Sequence, residues 1–288
     1  MAATAIKTVG IVGAGIMGQG IAQVFAVAGY DVLLYDIQPE RISAGLALIR
    51  KNMEAAVEKG KLSAAQKDEA NKRINSVNDF RYLQVDLAIE SVIEKLEVKQ
   101  KILQELEKNN STETILATNT SSIPVTQIAA VLKHPKRFAG LHFFNPAPAM
   151  KLVEIIKGAS TQETTVNTLR ALVENLGKVS VLANDSPGFI VNRVARHFYV
   201  ESLQLLEENV ASVETIDTLM RSTGFKMGPF ELMDLIGIDT NFSVTNSIYH
   251  SFHQDSKFRP SRLQQQKVDA GHHGRKSGKG FYDYTTKS

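Results

Sequence analysis

Hydrophobic and polar residues in the first 40 positions follow the period of a strand, then of a helix, then of a strand again. The run TVGIV begins at Thr8, residues 21–28 have helical spacing, and the run DVLLYDI begins at Asp31. Strand, glycine turn, helix and strand is the unit from which parallel sheets are built. The pattern therefore predicts an α/β fold with a parallel sheet in this part of the chain.

A stretch rich in Ala, Glu, Lys and Leu interrupts this alternation at residues 39–73. Gly60 breaks the stretch near its middle, and Ser63 is suited to cap a second helix, so we expect a helical hairpin inserted into the sheet domain. Later apolar runs predict further strands at residues 87–91, 115–118, 137–144, 152–157 and 179–183. Ser160 and Glu163 predict a capping box for the helix before the last of these strands.

The chain changes character after Asp185. The segment SPGFIVNR opens with a proline and a glycine, and the residues after it have helical periodicity. One face of the first helix would carry the apolar residues Val191, Val194, Phe198 and Leu205. We therefore expect two domains, residues 1–185 with the sheet and its insertion, and residues 186–288 with helices alone.

The composition narrows the class of protein. Of 288 residues, 43% are hydrophobic and 22% are charged, and the formal net charge of +3 gives no indication of nucleic-acid binding. The absence of cysteine excludes disulfides, thiolate metal sites and a cysteine nucleophile, and we expect no metal. The N-terminus does not have the pattern of a signal peptide, and no apolar run approaches the about 18 residues of a membrane span. We therefore expect a cytoplasmic protein that does not bind membranes.

Three glycines directly after the first strand have the spacing G-x-G-x-x-G. Gly13 would permit the tight turn, Gly15 would let the backbone approach a pyrophosphate, and Gly18 would let helix and strand pack closely. The helix that begins with Ile16 and Met17 offers N–H groups and a positive dipole end to that pyrophosphate. This predicts a dinucleotide-binding domain of the Rossmann type, with a purely structural glycine turn as the alternative.

Asp36 ends the second strand, where a carboxylate accepts hydrogen bonds from the ribose hydroxyls of a dinucleotide. The same carboxylate would repel a ribose 2′-phosphate, and Ile37 and Gln38 supply no adjacent arginine. The sequence therefore predicts NAD as the cofactor in preference to NADP.

Two apolar strands flank the connection NPAPAM, and a hairpin centred near Pro148 would place His142 opposite Glu154. Opposed residues of antiparallel strands have Cβ atoms about 4.5–5.5 Å apart, which lets a carboxylate hold one imidazole nitrogen. Oxidation of an alcohol by hydride transfer needs a base for the hydroxyl proton, and histidine titrates near neutrality. We interpret the pair as a general base with its orienting carboxylate. A histidine satisfied inside a hairpin is the alternative.

Six segments together resemble the 3-hydroxyacyl-CoA dehydrogenase family in its stand-alone form. They are GAGIMGQGIAQVFA, TNTSSI, GLHFFNPAPAMKLVEII, DSPGFIVNR, MGPFELMDLIGID and GRKSGKGFYDY, and they extend from the first strand to about Tyr284. The combination of HFFNP with SPGFIVNR is highly specific. The resemblance implies reversible NAD-dependent oxidation of (S)-3-hydroxyacyl-CoA, with 3-hydroxybutyryl-CoA as the expected example, in fatty-acid or butyrate metabolism.

The resemblance implies four residues at the reacting carbon. His142 corresponds to the general base and Glu154 to the carboxylate that orients it. Ser121 corresponds to a hydrogen-bond donor to the substrate 3-oxygen, near the nicotinamide, and Asn192 to an asparagine that contacts the substrate. Taken alone, Ser121 could equally be the N-cap of the following helix, and Asn192 would be unremarkable near the start of a helix.

The resemblance also implies further residues that bind the cofactor. Glu94 and Lys99 match family positions around the nicotinamide ribose and the pyrophosphate, Asn145 matches an asparagine near the nicotinamide, and Lys276 matches a C-terminal lysine that reaches the cofactor. Without the resemblance, Glu94 and Lys99 would be interpreted as solvated helix charges, and Lys276 as a solvated lysine in a basic tail.

For the coenzyme A part of the substrate, Lys59 matches a lysine that pairs with a phosphate. Asn52 stands where the family often has a serine, and its amide can still donate hydrogen bonds. The helical domain resembles the dimerisation domain of the family, so we expect a homodimer formed through it.

Two other functions remain open from the sequence. One is a two-domain dehydrogenase for a small hydroxy acid or sugar acid, which would keep the glycine fingerprint. The other is a non-enzymatic structural relative, because a fold alone does not imply activity. The presence of His142, Glu154, Ser121 and Asn192 together argues against the second.

Overall fold

A computed structural model describes residues 6–285, which divide into two compact units, residues 6–186 and 187–285. The first unit is an eight-stranded sheet with helices, and the second is helical. This architecture confirms the predicted fold class. None of the helices among residues 6–285 is long and apolar enough to cross a membrane.

The sheet of the first unit has the strand order β3-β2-β1-β4-β5-β6-β7-β8. Its strands are β1 (Thr8–Val12), β2 (Asp31–Tyr35), β3 (Ile74–Ser76), β4 (Leu87–Glu90), β5 (Ile115–Thr118), β6 (Phe138–Phe143), β7 (Leu152–Lys157) and β8 (Val179–Asn184). Strands β1 to β6 are mutually parallel. Strand β7 pairs antiparallel with β6 and parallel with β8. The hairpin of β6 and β7 therefore reverses the direction of the sheet.

The helices of the first unit are α1 (Ile16–Val27), α2 (Pro39–Glu58), α3 (Ala64–Arg73), α4 (Leu96–Asn109), α5 (Val125–Ala129) and α6 (Glu163–Asn175). Every residue of β4, β5 and β6 is buried, as expected of central strands in a parallel sheet covered by helices. Helices α2 and α3 form the hairpin after β2, and the side chain of Ser63 caps α3 in a capping box with Gln66.

One local prediction for this unit was wrong, and one strand was not predicted. Helix α6 has Gln162 as its N-cap, without a side-chain cap, so Ser160 is not its capping residue. The hydroxyl of Thr161 instead accepts the N–H of Gly158 and donates to the carbonyl of Phe138, which closes the turn before the helix. Strand β3 was not predicted, because its three residues are too few for an alternating pattern.

The second unit contains α7 (Val191–Glu207), α8 (Val213–Ser222), α9 (Pro229–Ile236), α10 (Ile238–Ser251) and α11 (Arg262–Asp269). Its core includes Leu203, Phe230, Met233 and Ile238. The predicted apolar face of α7 is wrong at Val194, which is 69% exposed. The buried residues of that helix are Arg196, Tyr199, Ser202 and Leu203, so the buried face is partly polar.

Two buried aspartates bind the last described residues of the second unit to its helices. Asp234 accepts the backbone N–H groups of Phe281 and Tyr282 and the hydroxyl of Tyr284. Asp217 accepts the hydroxyl of Tyr282 and the N–H of Phe230 at the start of α9. The segment after α11 is therefore part of the packed unit.

Candidate active site

The glycine turn between β1 and α1 has the geometry that the fingerprint predicts. Gly13 has a φ of 107°, which favours glycine. A Cβ on Gly18 would lie 1.7 Å from the carbonyl oxygen of Gly13, so only glycine lets α1 approach the turn this closely. A Cβ on Gly15 would meet nothing within 4 Å. Gly15 therefore faces open space, and the protein itself does not require glycine there.

The N-terminus of α1 begins with Ile16 and Met17, and its N-cap Gly15 supplies no side chain. Asp36 is buried beside the turn. Its Oδ2 accepts the N–H of Ala14 at 2.8 Å, and its Oδ1 accepts the N–H of Gln38 at 3.0 Å. The carboxylate thus fixes the glycine turn in addition to any contact with a ribose.

His142 and Glu154 are directly paired across β6 and β7. Nδ1 of His142 lies 2.8 Å from Oε2 of Glu154, and both side chains are buried. The ring of Phe144 lies beside the imidazole, with 4.5 Å between ring centroids. The hairpin therefore places the two residues as the sequence predicts, and a buried carboxylate that holds Nδ1 directs proton exchange to Nε2.

Glu94 holds the turn that follows β5. Its Oε1 accepts the hydroxyl of Thr120 at 2.5 Å and the N–H of Ser121 at 2.9 Å, and its Oε2 lies 3.0 Å from Nζ of Lys99. Burial raises the pKa of Glu94, but the charge of Lys99 and the hydrogen bonds from Thr120 and Ser121 outweigh it, so the net pKa is lowered. Helix α5 has Pro124 as its N-cap, so Ser121 is not the capping residue.

Lys99 is buried, so its interpretation as a solvated helix charge is wrong. Its Nζ lies 2.8 Å from Oε1 of Glu90, the last residue of β4, whose side chain is fully buried. Oε2 of Glu90 also accepts the hydroxyl of Thr118, the last residue of β5, at 2.6 Å. Glu90 was not predicted from the sequence, although a lone carboxylate at the carboxyl end of an apolar strand is a signal that could have identified it.

The remaining predicted residues of the first unit lie at its surface. Asn145 is exposed in the turn after β6. Asn52 lies within α2 and Lys59 is its C-cap, and both are exposed. Because they are seven residues apart, Asn52 and Lys59 lie on the same side of the helix, two turns apart.

In the second unit, Asn192 is the second residue of α7. Lys276 lies in the segment after α11, where its Nζ is 2.6 Å from Oδ1 of Asp239. Asp239 is in the first turn of α10, and the pairing with Lys276 helps to lower its pKa against the effect of burial, which raises it. Lys276 is therefore ion-paired, and its predicted contact with the cofactor stays a prediction.

Comparison with known proteins agrees with this geometry. The model of the 3-hydroxyacyl-CoA dehydrogenase NAD-binding domain matches residues 8–186, and the model of the C-terminal domain matches residues 188–284. The chain belongs to the 3-hydroxyacyl-CoA dehydrogenase family. The predicted family is therefore confirmed, and so is the predicted enzyme class, a 3-hydroxyacyl-CoA dehydrogenase.

Individual relatives of this dehydrogenase differ in length and in named substrate. A 3-hydroxyadipyl-CoA dehydrogenase of Escherichia coli is 47% identical over 97% of the chain, which spans 59% of that protein. A probable 3-hydroxybutyryl-CoA dehydrogenase of Bacillus subtilis is 42% identical over 98% of this chain and 99% of its own. The crystal structure of (S)-3-hydroxybutyryl-CoA dehydrogenase from Ralstonia eutropha is similar with a TM-score of 0.93, at 41% identity over 98% of this chain and 100% of that chain.

Proposed function

We propose that this dehydrogenase reversibly oxidises (S)-3-hydroxyacyl-CoA to 3-ketoacyl-CoA with NAD, and that His142 is its general base. The observation that carries the proposal is the buried pair of His142 and Glu154 in the same unit as a dinucleotide fingerprint. A base alone would suit many reactions, and a nucleotide site alone would suit many cofactors. Together they meet the two requirements of alcohol oxidation by hydride transfer.

The residues around the glycine turn fit NAD. The open space beside Gly15 leaves room for a pyrophosphate against the N-terminus of α1. Asp36 would accept from the ribose hydroxyls, and its charge beside the exposed Ile37 disfavours the 2′-phosphate of NADP. When bound, the nicotinamide supplies a hydride acceptor for the substrate C3 carbon.

In the oxidation, Nε2 of His142 takes the proton of the 3-hydroxyl group. Glu154 holds Nδ1–H, which sets the tautomer of the imidazole, and its charge stabilises the imidazolium that forms. In the reduction, the same imidazolium returns a proton to the oxygen. Ser121 and Asn192 are proposed to donate hydrogen bonds to that oxygen while it carries charge.

Glu94 is proposed to contact the cofactor close to Ser121. It fixes the backbone of the turn that carries Ser121, and Lys99 in turn fixes Glu94. Asn145 lies in the turn after β6, the strand that carries His142, and is proposed to contact the nicotinamide. Lys276 is proposed to reach the cofactor by exchanging its pairing with Asp239.

Lys59 and Asn52 are proposed to bind the coenzyme A part of the substrate, where their exposure on one side of α2 suits phosphate contacts. We also propose a cytoplasmic homodimer formed through the second unit. Its support is a set of exposed apolar side chains on that unit, each at least 50% exposed: Val194, Val210, Leu219, Phe225 and Leu235.

The test is the reduction of acetoacetyl-CoA, followed by consumption of NADH and, separately, of NADPH. We expect turnover with both, and a kcat/KM for NADH at least about tenfold above that for NADPH. No consumption of either cofactor would contradict the activity and favour a small hydroxy-acid dehydrogenase or a non-enzymatic relative. A higher kcat/KM with NADPH would contradict the cofactor assignment alone.

A further inference from the structure

A cluster of four buried polar side chains lies inside the second unit, among helices α7, α10 and α11. Arg196 is 3% exposed, Asn241 2%, Thr245 1% and Gln264 1%. None of the four has a role in the proposed mechanism. Burial of so many polar groups in a small helical unit is unfavourable unless each of them has a hydrogen-bond partner.

The guanidinium of Arg196 is half satisfied by the protein. Its Nη1 donates to the carbonyl of Asn241 at 3.1 Å and to the hydroxyl of Thr245 at 3.0 Å. Nε2 of Gln264 donates to the side chain of Asn241 at 2.9 Å, which completes the cluster. One edge of the guanidinium is thus fixed by α10.

The other edge of the guanidinium has no hydrogen-bond partner in the part of the chain that the structure describes, although Cζ lies 5.2 Å from the ring centroid of Tyr199. Nε of Arg196 is buried and forms no hydrogen bond there, and Nη2 forms none with residues 6–285. No carboxylate of these residues pairs with Arg196, although burial is strong enough to lower the pKa of Arg196 to about 10. Nε and Nη2 together form the fork that binds a carboxylate through two parallel hydrogen bonds.

Arg196 lies on the same helix as Asn192, the residue proposed to bind the substrate 3-oxygen. Arg196 follows Asn192 by four residues in α7, so the two lie on the same side of the helix, one turn apart. Side chains of a helix lean toward its N-terminus, and Asn192 lies at that end of α7. A substrate whose 3-oxygen is bound by Asn192 would approach Arg196 where its acyl chain extends along α7.

We propose that Arg196 binds a carboxylate at the far end of the acyl chain, so that the substrate class is a dicarboxylic 3-hydroxyacyl-CoA. The inference rests on the proposed function, because it uses the placement of the 3-oxygen at Asn192. In a six-carbon chain, three bonds separate C3 from the terminal carboxyl carbon, about 4 Å when extended. The Cβ atoms of residues one helical turn apart are about 5–6 Å apart. The acyl chain and the arginine side chain together are long enough to span this separation.

The E. coli relative at 47% identity is named for a substrate of this class, 3-hydroxyadipyl-CoA. Two different roles would also account for a buried arginine at this position. In the first, Arg196 only connects α7 to α10 through its hydrogen bonds. In the second, it pairs with a carboxylate of a second copy of this chain. Neither role predicts discrimination between substrates, so a comparison of substrates separates both from the proposal.

The experiment compares 3-oxoadipyl-CoA with 3-oxohexanoyl-CoA, which has the same number of carbons and a methyl group in place of the carboxylate. NADH consumption gives kcat/KM for each with the full-length wild type, Arg196→Met and Arg196→Lys. Arg262→Met, which removes an exposed arginine at the start of α11, is the matched control.

We expect the wild type to prefer the adipyl substrate by at least about tenfold, and Arg196→Met to lower this ratio on the order of 10²-fold. Arg196→Lys should lower the ratio less, and Arg262→Met should leave it unchanged. Equal kcat/KM for both substrates in the wild type would overturn the proposal even if Arg196→Met failed to fold. The proposal would also be overturned if Arg196→Met left the ratio of the two kcat/KM values unchanged. This holds even if that variant no longer dimerises. Failure of the proposed function is distinct, because then neither substrate consumes NADH.

Discussion

Nδ1 of His142 and Oε2 of Glu154 are 2.8 Å apart across the antiparallel pairing of β6 and β7. The two residues are neighbours because a short hairpin reverses the chain between them. Both are buried, so neither water nor a mobile loop sets the orientation of the imidazole. The sheet itself therefore orients the proposed base.

Replacement of His142 by Gln should lower kcat on the order of 10²-fold or more, because general acid–base catalysis contributes at least that much. The KM for acyl-CoA should change little, since Gln has similar volume and still bonds to Glu154. Steady-state kinetics with acetoacetyl-CoA and NADH measures both. His134→Gln, at an exposed position of the same unit, is the control. Near-normal turnover of the His142 variant would remove this residue from the mechanism.

Gly15→Ala and Gly18→Ala should affect different properties. At Gly15 the φ of −71° suits alanine and the Cβ has space, so the free energy of unfolding should stay within about 0.5 kcal/mol of the wild type. Its Kd for NAD should nevertheless rise about tenfold or more, because the methyl group occupies space proposed for the pyrophosphate. Gly18→Ala should cost more than about 2 kcal/mol of stability. Urea unfolding and titration of NADH fluorescence provide the two measurements, and unaltered NAD binding by Gly15→Ala would refute the proposed pyrophosphate position.

The lowered pKa of Glu94 predicts a stability that depends on pH. A carboxyl group with a folded pKa below its ordinary value of 4.5 stabilises the protein above that value, and the contribution is lost as pH falls through the folded pKa. The difference in unfolding free energy between wild type and Glu94→Gln should therefore be full at pH 7 and shrink below pH 4.5. Urea unfolding over this range is the measurement. Glu97→Gln, at an exposed position in the first turn of α4, should show no such trend.

Lys99→Met should destabilise the first unit by about 3–5 kcal/mol, because it leaves the buried carboxylate of Glu90 without a cation. The double variant Glu90→Gln with Lys99→Met should recover part of that loss, which a double-mutant cycle by urea unfolding would measure. Lys101→Met, an exposed position of α4, should be close to neutral. Additive effects of the two substitutions would show that the pair is not coupled.

The parts of the site that lie close together in the sequence were predictable. The fingerprint from Gly13 to Gly18 is one turn, and the pairing of His142 with Glu154 needs only the centre of a hairpin. Such local relations can be predicted from hydrophobic periodicity and from the residue types that form turns. The same reasoning found the insertion of α2 and α3 and the cap at Ser63.

The position of Glu90 at the end of an apolar strand is a local signal, but its pairing with Lys99 was not predictable in this way. A lysine on a helix is normally solvated, and only the packing of α4 over β4 and β5 removes Lys99 from water. Arg196 is a similar case, because its burial is set by the approach of α10. Both are polar residues whose environment is formed by segments distant in sequence, where apolar periodicity gives no information.

The last residues of the second unit have a consequence for protein synthesis. Asp234 and Asp217 lie within the helical part of the unit, but their partners Phe281, Tyr282 and Tyr284 are made 47 to 65 residues later. Until those partners leave the ribosome, Asp234 lacks the three hydrogen bonds from them, and Asp217 has only the backbone N–H groups at the start of α9. We therefore expect the first unit to fold while the chain is still growing, and the second to close only after this final segment emerges.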